Sequence, residues 1–223
     1  GVKAMVLIST DKAVNPPNIM GATKRLAESY CQALDINTAK TDGTRFVTVR
    51  FGNVLGSTGS VVPLFQKQLE AGGPLTITHP EVTRFFMTIR EAVELVLQAS
   101  ALGTTSERNA GRIHVLEMGA PVKIMELAEQ MIRLAGLQPD EDVEIQVTGL
   151  RPGEKLHEEL LHEDESLLPS SHPSLLLATP RTSDLQELCS AIDRLENAAR
   201  CRHRKDTLEA LKLLVPEYAE HNT

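Results

Sequence analysis

The order in which apolar runs alternate with amphipathic stretches limits the fold of this chain more than any other property. Ala4-Met5-Val6-Leu7-Ile8 has strand length and composition, residues 19 to 35 follow a helical pattern, a second strand is predicted over 45 to 50, and a second helix from about 60 to 72. That order implies parallel strands joined by crossover helices. Further along, 75 to 78 and 113 to 116 read as strands. Residues 90 to 102 read as an amphipathic helix with Val93, Val96 and Leu97 on its apolar face. Residues 122 to 135 form the clearest helical pattern, with Ile124, Leu127, Ala128, Met131 and Leu134 on one side and Gly136 as the stop. An alternating strand at 143 to 147 and a short helix from about Lys155 to Leu161 complete this part. The class is α/β: a partial Rossmann-like parallel sheet with flanking helices, plus a smaller α/β region.

Composition excludes several function classes. At 223 residues and 41% hydrophobic content the chain can bury a substantial core in one or two domains. A net charge of −7 gives no electrostatic support for nucleic-acid binding, so an anionic ligand would need local arginines. The three cysteines, Cys31, Cys189 and Cys201, are too few and too scattered for a disulfide framework or a zinc site, which points to a reducing, cytoplasmic setting. His157 and His162 are five apart and the other five histidines, His221 among them, stand singly, so no metal site is expected. No apolar run reaches the roughly 20 residues that cross a bilayer.

Chemistry concentrates where the first strand hands over to the first helix. Ser9, Thr10, Asp11 and Lys12 follow directly on Ile8, at the carboxyl edge where open α/β sheets bind ligands. Asp11 and Lys12 put an acid and a base side by side. Adjacent opposite charges are common in solvated turns; what distinguishes this pair is its place after a buried strand and before a helix bearing Lys24. Lys24 lies four residues after Met20, on the same helical face. Arg50-Phe51-Gly52-Asn53 follows the second strand and falls at the same edge. Arg84 sits among apolar residues in Thr83-Arg84-Phe85-Phe86-Met87, which is costly unless its charge is paired or bound to a ligand. Arg151 heads the turn Arg151-Pro152-Gly153-Glu154-Lys155. A structural salt bridge is the lesser alternative for either arginine. Ser60 opens the helix at 60, as an anion-binding helix start or as a plain cap.

Ser9-Thr10-Asp11-Lys12-Ala13, Asn15-Pro16 and Met20-Gly21-Ala22-Thr23-Lys24-Arg25-Leu26-Ala27-Glu28 together resemble the extended short-chain dehydrogenase/reductase superfamily. Within it they resemble the membrane-associated nucleotide-sugar 4,6-dehydratases of polysaccharide and O-antigen biosynthesis, over residues 1 to about 165. The resemblance implies a UDP-N-acetylhexosamine substrate and an NAD or NADP cofactor, with Asp11 as the acid for the departing O6 hydroxyl, Lys12 as the base for the C5 proton and Thr10 as a hydrogen-bonding partner of O4. Ser9, Lys24, Phe51 and Gly52 would approach the cofactor. Asn53, Arg84, Arg151 and Glu154 would hold the sugar and the nucleotide diphosphate, for which the planar guanidinium fork is suited. The superfamily's Tyr-x-x-x-Lys motif has Met20 in the Tyr position. A thioether cannot exchange a proton, so the O4 proton acceptor is open among water, Lys24, and Asp11 acting through Thr10. The other readings are a nucleotide-sugar 4-epimerase, for which Asp11 and Lys12 would be superfluous, and a non-catalytic nucleotide-sugar-binding module.

A dinucleotide-binding unit opens with strand, Gly-x-Gly-x-x-Gly and helix, and nothing in this sequence fits that pattern; the glycines at 52, 56 and 59 have the wrong spacing. The expectation is therefore that the chain is the carboxyl-terminal half of a catalytic domain. The cofactor motif and any membrane helices would lie upstream, with the whole protein at the cytoplasmic face of the inner membrane. Residues 1–60, with 89–118 returning to them, are expected in the Rossmann-like domain, and 61–88 with 119–165 in the substrate-binding region. Residues 166–223 would be a helical tail. Within the tail, Leu167 to Ser174 reads as a linker, Ser183 to Arg200 as a helix capped by Ser183, and Asp206 to Val215 as a shorter helix. The tail is read as a structural cover, with self-association as the alternative.

Overall fold

A computed structural model describes residues 1–41, 43–105 and 110–219; His221 lies outside these. In chain order, β1 (Ala4–Ile8) leads through a 3-10 turn (Asp11–Ala13) to α1 (Ile19–Thr38), β2 (Arg45–Arg50), β3 (Asn53–Val54), α2 (Val61–Glu70), β4 (Leu75–Ile77), β5 (Thr83–Arg84), β6 (Phe86–Met87) and α3 (Ile89–Thr105). Then come β7 (Ile113–Leu116), β8 (Val122–Lys123), α4 (Ile124–Leu134), β9 (Ile145–Val147), β10 (Ser166–Pro169), β11 (Leu175–Thr179), α5 (Leu185–Arg200) and α6 (Arg204–Leu214). The chain divides into two compact units.

Among the described residues the first unit contains Gly1–Phe51, Glu94–Glu117 and residues 159–219. Its sheet has the order β1-β2-β7-β11-β10, with β1, β2 and β7 parallel and β11 and β10 added antiparallel. The parallel strands that were expected are there, with Val6 beside Val47 and Ile8 beside Val49. Asn18 caps α1 by accepting from the Gly21 amide. The helix buries Ala22, Leu26 and Ala33 against Leu188 of α5, Leu211 of α6 and Val215 beyond it.

The second unit contains Gly52–Val93 and Met118–Glu158. Phe65, Leu75, Ile77, Val82, Ile124, Ala128, Ile132 and Val143 form its core, joining α2 and α4 to β4. Gly136 ends α4 as expected: its φ of +79° is left-handed, and its amide bonds to the Arg133 carbonyl.

Three expectations are corrected. No helix forms over 155 to 161: the Leu156 carbonyl, which would accept from the Leu160 amide, accepts instead from the Thr83 amide and from Arg84 Nη1. The stretch from Leu167 to Ser174 is not a linker. Its leucines belong to β10, its Ser170 and His172 organise a hairpin turn, and the Leu175–Thr179 run that follows is a buried strand. The cap of α5 is Asp184 rather than Ser183, since Asp184 Oδ1 accepts from the amides of Gln186 and Glu187.

Candidate active site

In the first unit β1 and β2 run past their hydrogen-bonded register together, the Ser9 amide donating to Val49 O and the Asp11 amide to Phe51 O. These bonds fix the turn that carries Thr10, Asp11 and Lys12. Asp11 is fully buried. Its Oδ1 accepts from Lys12 Nζ at 2.9 Å and from Thr10 Oγ1 at 2.9 Å, while Oδ2 is buried with no hydrogen-bond partner. A buried carboxylate oxygen left unpartnered is costly, and it marks a place where a ligand hydroxyl or an added proton would be welcome.

Backbone proximity keeps α1 against this turn. A Cβ on Gly21 would collide with the carbonyl oxygen of Lys12, so only glycine lets the helix come this close. Lys24 Nζ donates to Ile8 O at 3.2 Å, and Met20 is half exposed one turn earlier. Ser9, Thr10, Asp11, Lys12, Met20 and Lys24 are thus all carried by the end of β1, the turn and the start of α1. Phe51 belongs to the first unit and Gly52 to the second.

Behind the turn lies a buried ionic network that the sequence reading did not single out. Ser9 Oγ donates to Glu28 Oε1 at 2.6 Å, and Arg50, fully buried, donates to both oxygens of Glu28 at 3.0 and 2.8 Å and to both of Glu165 at 2.7 and 3.0 Å. Burial opposes the Arg50 charge, yet Glu28 and Glu165 together hold its pKa above the ordinary value. Burial likewise pushes the Glu165 carboxyl up, and Arg50 more than reverses it. One signal was available: Glu28 is four residues beyond Lys24 on α1, a charged residue on a helix face that carries Gly21, Ala22 and Leu26 into the interior together with Arg25 and Asp35.

In the second unit Arg84 and Glu154 meet. Arg84 Nη2 donates to Glu154 Oε1 at 3.1 Å, Nη1 to the carbonyls of Thr83 at 2.7 Å and Leu156 at 3.3 Å, and Nε lies 3.8 Å from Glu158. Thr78 Oγ1 also donates to Glu154 Oε1, and the Arg151 amide to its Oε2. Arg84 is therefore ion-paired, Glu154 holds the turn through the backbone of Arg151, and the Arg151 side chain is exposed. Asn53, paired through β3 to β6, has a buried Oδ1 with no hydrogen-bond partner. The Ser60 hydroxyl precedes α2 without capping it. No group of His, Cys, Asp and Glu among the described residues could hold a metal ion.

A model of polysaccharide biosynthesis proteins matches residues 1–180. The chain belongs to this family. It is 58% identical to a capsular polysaccharide biosynthesis protein, CapD, of Staphylococcus aureus over 74% of this chain and 26% of that one. It is 38% identical to an inverting UDP-N-acetylglucosamine 4,6-dehydratase of Campylobacter jejuni over 75% of this chain and 46% of that one. A UDP-glucose 4-epimerase of Rickettsia bellii is nearly as similar, at 37% over 74% of this chain and 45% of that one. The solved structure of Pen from Bacillus thuringiensis superposes with a TM-score of 0.70 at 33% identity, over 82% of this chain and 54% of that one. The family thus includes dehydratases and epimerases of the short-chain dehydrogenase/reductase type, and the chain spans between 26% and 54% of these relatives' length. Among the described residues no helix is long and apolar enough to cross a membrane.

Proposed function

We propose that the chain supplies the proton-handling and substrate side of a nucleotide-sugar 4,6-dehydratase acting on a UDP-N-acetylhexosamine, in the synthesis of a surface polysaccharide. The observation that carries this reading is the Lys12–Asp11 contact, 2.9 Å long and set against a second Asp11 oxygen that is buried and unpartnered. Eliminating water across C5 and C6 requires a base on one carbon and an acid on the other. Moving a single proton from Lys12 Nζ to Asp11 turns the ion pair into that base and that acid without creating net charge in a buried place. Lys12 then takes the C5 proton, the C6–O6 bond breaks as the C5–C6 double bond forms, and Asp11 gives its proton to the departing O6 as water. An epimerase needs neither step.

The C5 proton is acidic only beside a C4 ketone, so a nicotinamide cofactor belongs to the scheme and would supply reversible hydride transfer there. The residues present fit its ribose end: Lys24 Nζ uses one donor on Ile8 O, and an ammonium has three. The sequence contains no Gly-x-Gly-x-x-Gly stretch, so no residue of this chain is assigned to the pyrophosphate. Thr10 Oγ1 would serve O4, the Arg84–Glu154–Arg151 cluster the nucleotide, and Asn53 Oδ1 a sugar or ribose hydroxyl.

The test is to supply the whole protein that carries this chain with UDP-N-acetylglucosamine and NAD or NADP, and to identify the product by NMR. A 4-keto-6-deoxy sugar is expected. Recovery of the C4 epimer alone would replace the dehydratase reading by the epimerase one. Lys12→Ala should abolish the keto product with UDP binding nearly intact, and unchanged turnover would remove Lys12 as the base.

A further inference from the structure

The ionic network behind the turn is saturated. Arg50 is fully buried, and a guanidinium has five N–H donors. Its Nε and Nη2 donate to Glu28 at 3.0 and 2.8 Å, its Nη1 and Nη2 to Glu165 at 2.7 and 3.0 Å, and its Nη1 to the Leu160 carbonyl at 3.1 Å. Every donor is used, so Arg50 has none left for a ligand. Glu28, also fully buried, accepts from Arg50 on both oxygens and from the Ser9 hydroxyl on Oε1, with Arg25 Nη1 3.5 Å from Oε2.

This network ends on the residue before Thr10. A serine has a single O–H to donate, and Ser9, only 4% exposed, gives it to Glu28 at 2.6 Å, the short length of a charge-assisted bond. That proton is not available to a cofactor, the role the family resemblance implies for Ser9. The groups assigned to chemistry are in the opposite condition. Asp11 Oδ2 is buried without a hydrogen-bond partner, and Lys24 spends one donor of three on Ile8 O.

Gly21, Lys24 and Glu28 lie three and four residues apart and so share one face of α1. Along that face the Gly21 backbone lies against the Lys12 carbonyl, Lys24 Nζ holds the Ile8 carbonyl and Glu28 holds the Ser9 side chain. From β2, the carbonyls of Val49 and Phe51, on either side of Arg50, hold the amides of Ser9 and Asp11. The bidentate Arg50 contact fixes the orientation of the Glu28 carboxylate, and that one carboxylate joins α1, the end of β2 and the residue that starts the turn. Buried ion pairs contribute little more to stability than apolar residues of the same volume. What they supply here is direction.

We infer that Glu28, oriented by Arg50, is a positioning residue of the proposed reaction: through the Ser9 hydroxyl it fixes the Thr10–Asp11–Lys12 turn against α1 and so sets where the acid and the base stand relative to Lys24. Neither Glu28 nor Ser9 touches the sugar or the cofactor. The inference rests on the dehydratase reading for the task of the turn, and on the hydrogen bonds alone for how the turn is held.

The test is a double-mutant cycle of Ser9→Ala and Glu28→Gln in the whole protein that carries this chain, assayed with UDP-N-acetylglucosamine and NAD or NADP. Ser9→Ala leaves every donor of Arg50 engaged, and calorimetric titration with UDP reports the folded fraction through its stoichiometry. In Ser9→Ala kcat should fall about 10–100-fold, approaching the cost of displacing reacting groups by about 1 Å, while KM for the nucleotide sugar, cofactor affinity and UDP stoichiometry stay the same. The double variant should be no slower than Glu28→Gln, because both substitutions release the same hold. Should Glu28→Gln fail to fold, Ser9→Ala decides by itself. Unchanged kcat in Ser9→Ala would overturn the inference, and so would losses that add in the double variant. A fall in kcat matched by lost UDP sites would make the network structural only, and weaker cofactor binding with kcat retained would make Ser9 a cofactor contact; either result also overturns it. Failure of the dehydratase reading shows in a different place, the product of the unsubstituted protein: if that is the C4 epimer alone, the turn has no acid and base to position and the inference falls with the reading.

Discussion

Asp11 and Lys12 acquire different tasks from one contact, and that couples them in a way experiment can read. Asp11→Asn keeps the size of the side chain and its hydrogen bonding but removes the acid, so water loss should fall by about 10²–10⁴-fold, the span general acid catalysis contributes. Lys12 in this variant also loses the carboxylate that takes its proton. Entry of solvent deuterium at C5 of a UDP-N-acetylhexosamine incubated with the whole protein and its cofactor should therefore fall together with water loss; C5 exchange that persists while no dehydrated product accumulates would mean that Lys12 reaches its basic form without Asp11. Gly21 belongs at the same scale. Its missing side chain allows α1 to approach the Lys12 carbonyl, and Gly21→Ala forces helix and turn apart. A stability loss of about 1–3 kcal/mol is expected, as for other overpacked sites, readable as a lower urea midpoint, together with displaced Thr10–Lys12 amide resonances.

At the scale of elements the sheet is where sequence and structure agree best. Runs such as Ala4–Ile8 and Arg45–Arg50 announce strands because their apolar character is local, and α1 and α4 announce themselves by periodicity. What the sequence hid depends on distant partners. β11 escaped notice because it follows a Pro/Ser cluster that is a hairpin turn, and the segment after Lys155 looks helical until Thr83 and Arg84 take the Leu156 carbonyl. The same limit applies to the site: Asp11, Lys12 and Lys24 are legible from position, whereas the Arg50–Glu28–Glu165 network joins residues more than 100 positions apart. Glu28→Ala leaves buried Arg50 with one carboxylate instead of two and should cost about 3–5 kcal/mol by urea unfolding. β7 carries a second consequence. His114 is buried, and burial pushes its pKa down, more than the Thr48 backbone and Asp35 raise it. The unfolded chain, with a pKa near 6.5, therefore binds a proton that the folded chain resists. Stability should be constant above about pH 6.5 and decline below it as the folded pKa is approached. The slope of the urea midpoint against pH over this window should flatten in His114→Gln. Glu165, whose pKa is lowered, contributes stability that is lost only in the more acidic range below its ordinary 4.5, so the two effects fall in different windows.

The whole molecule consists of two units with separate cores, and this makes a prediction about cooperativity. Phe65 is completely buried in the second unit, among Leu75, Ile77, Ile124 and Ile132. None of those residues belongs to the five-stranded sheet or to the helical layer in which Leu188, Leu211 and Val215 pack on α1. Each core removes its own apolar surface from water, and each sheet satisfies its own backbone groups. A cavity in one core therefore should not directly weaken the other. Phe65→Ala should cost the second unit about 3–5 kcal/mol. Native-state hydrogen exchange would then accelerate over Leu75–Ile77 and Ile124–Leu134 while Ala4–Ile8, Arg45–Arg50 and Ile113–Leu116 keep their protection. Equal acceleration in both sets would show that the units open as one cooperative body, and the Asp11–Lys12 turn and the Arg84–Glu154 cluster would then share a single stability.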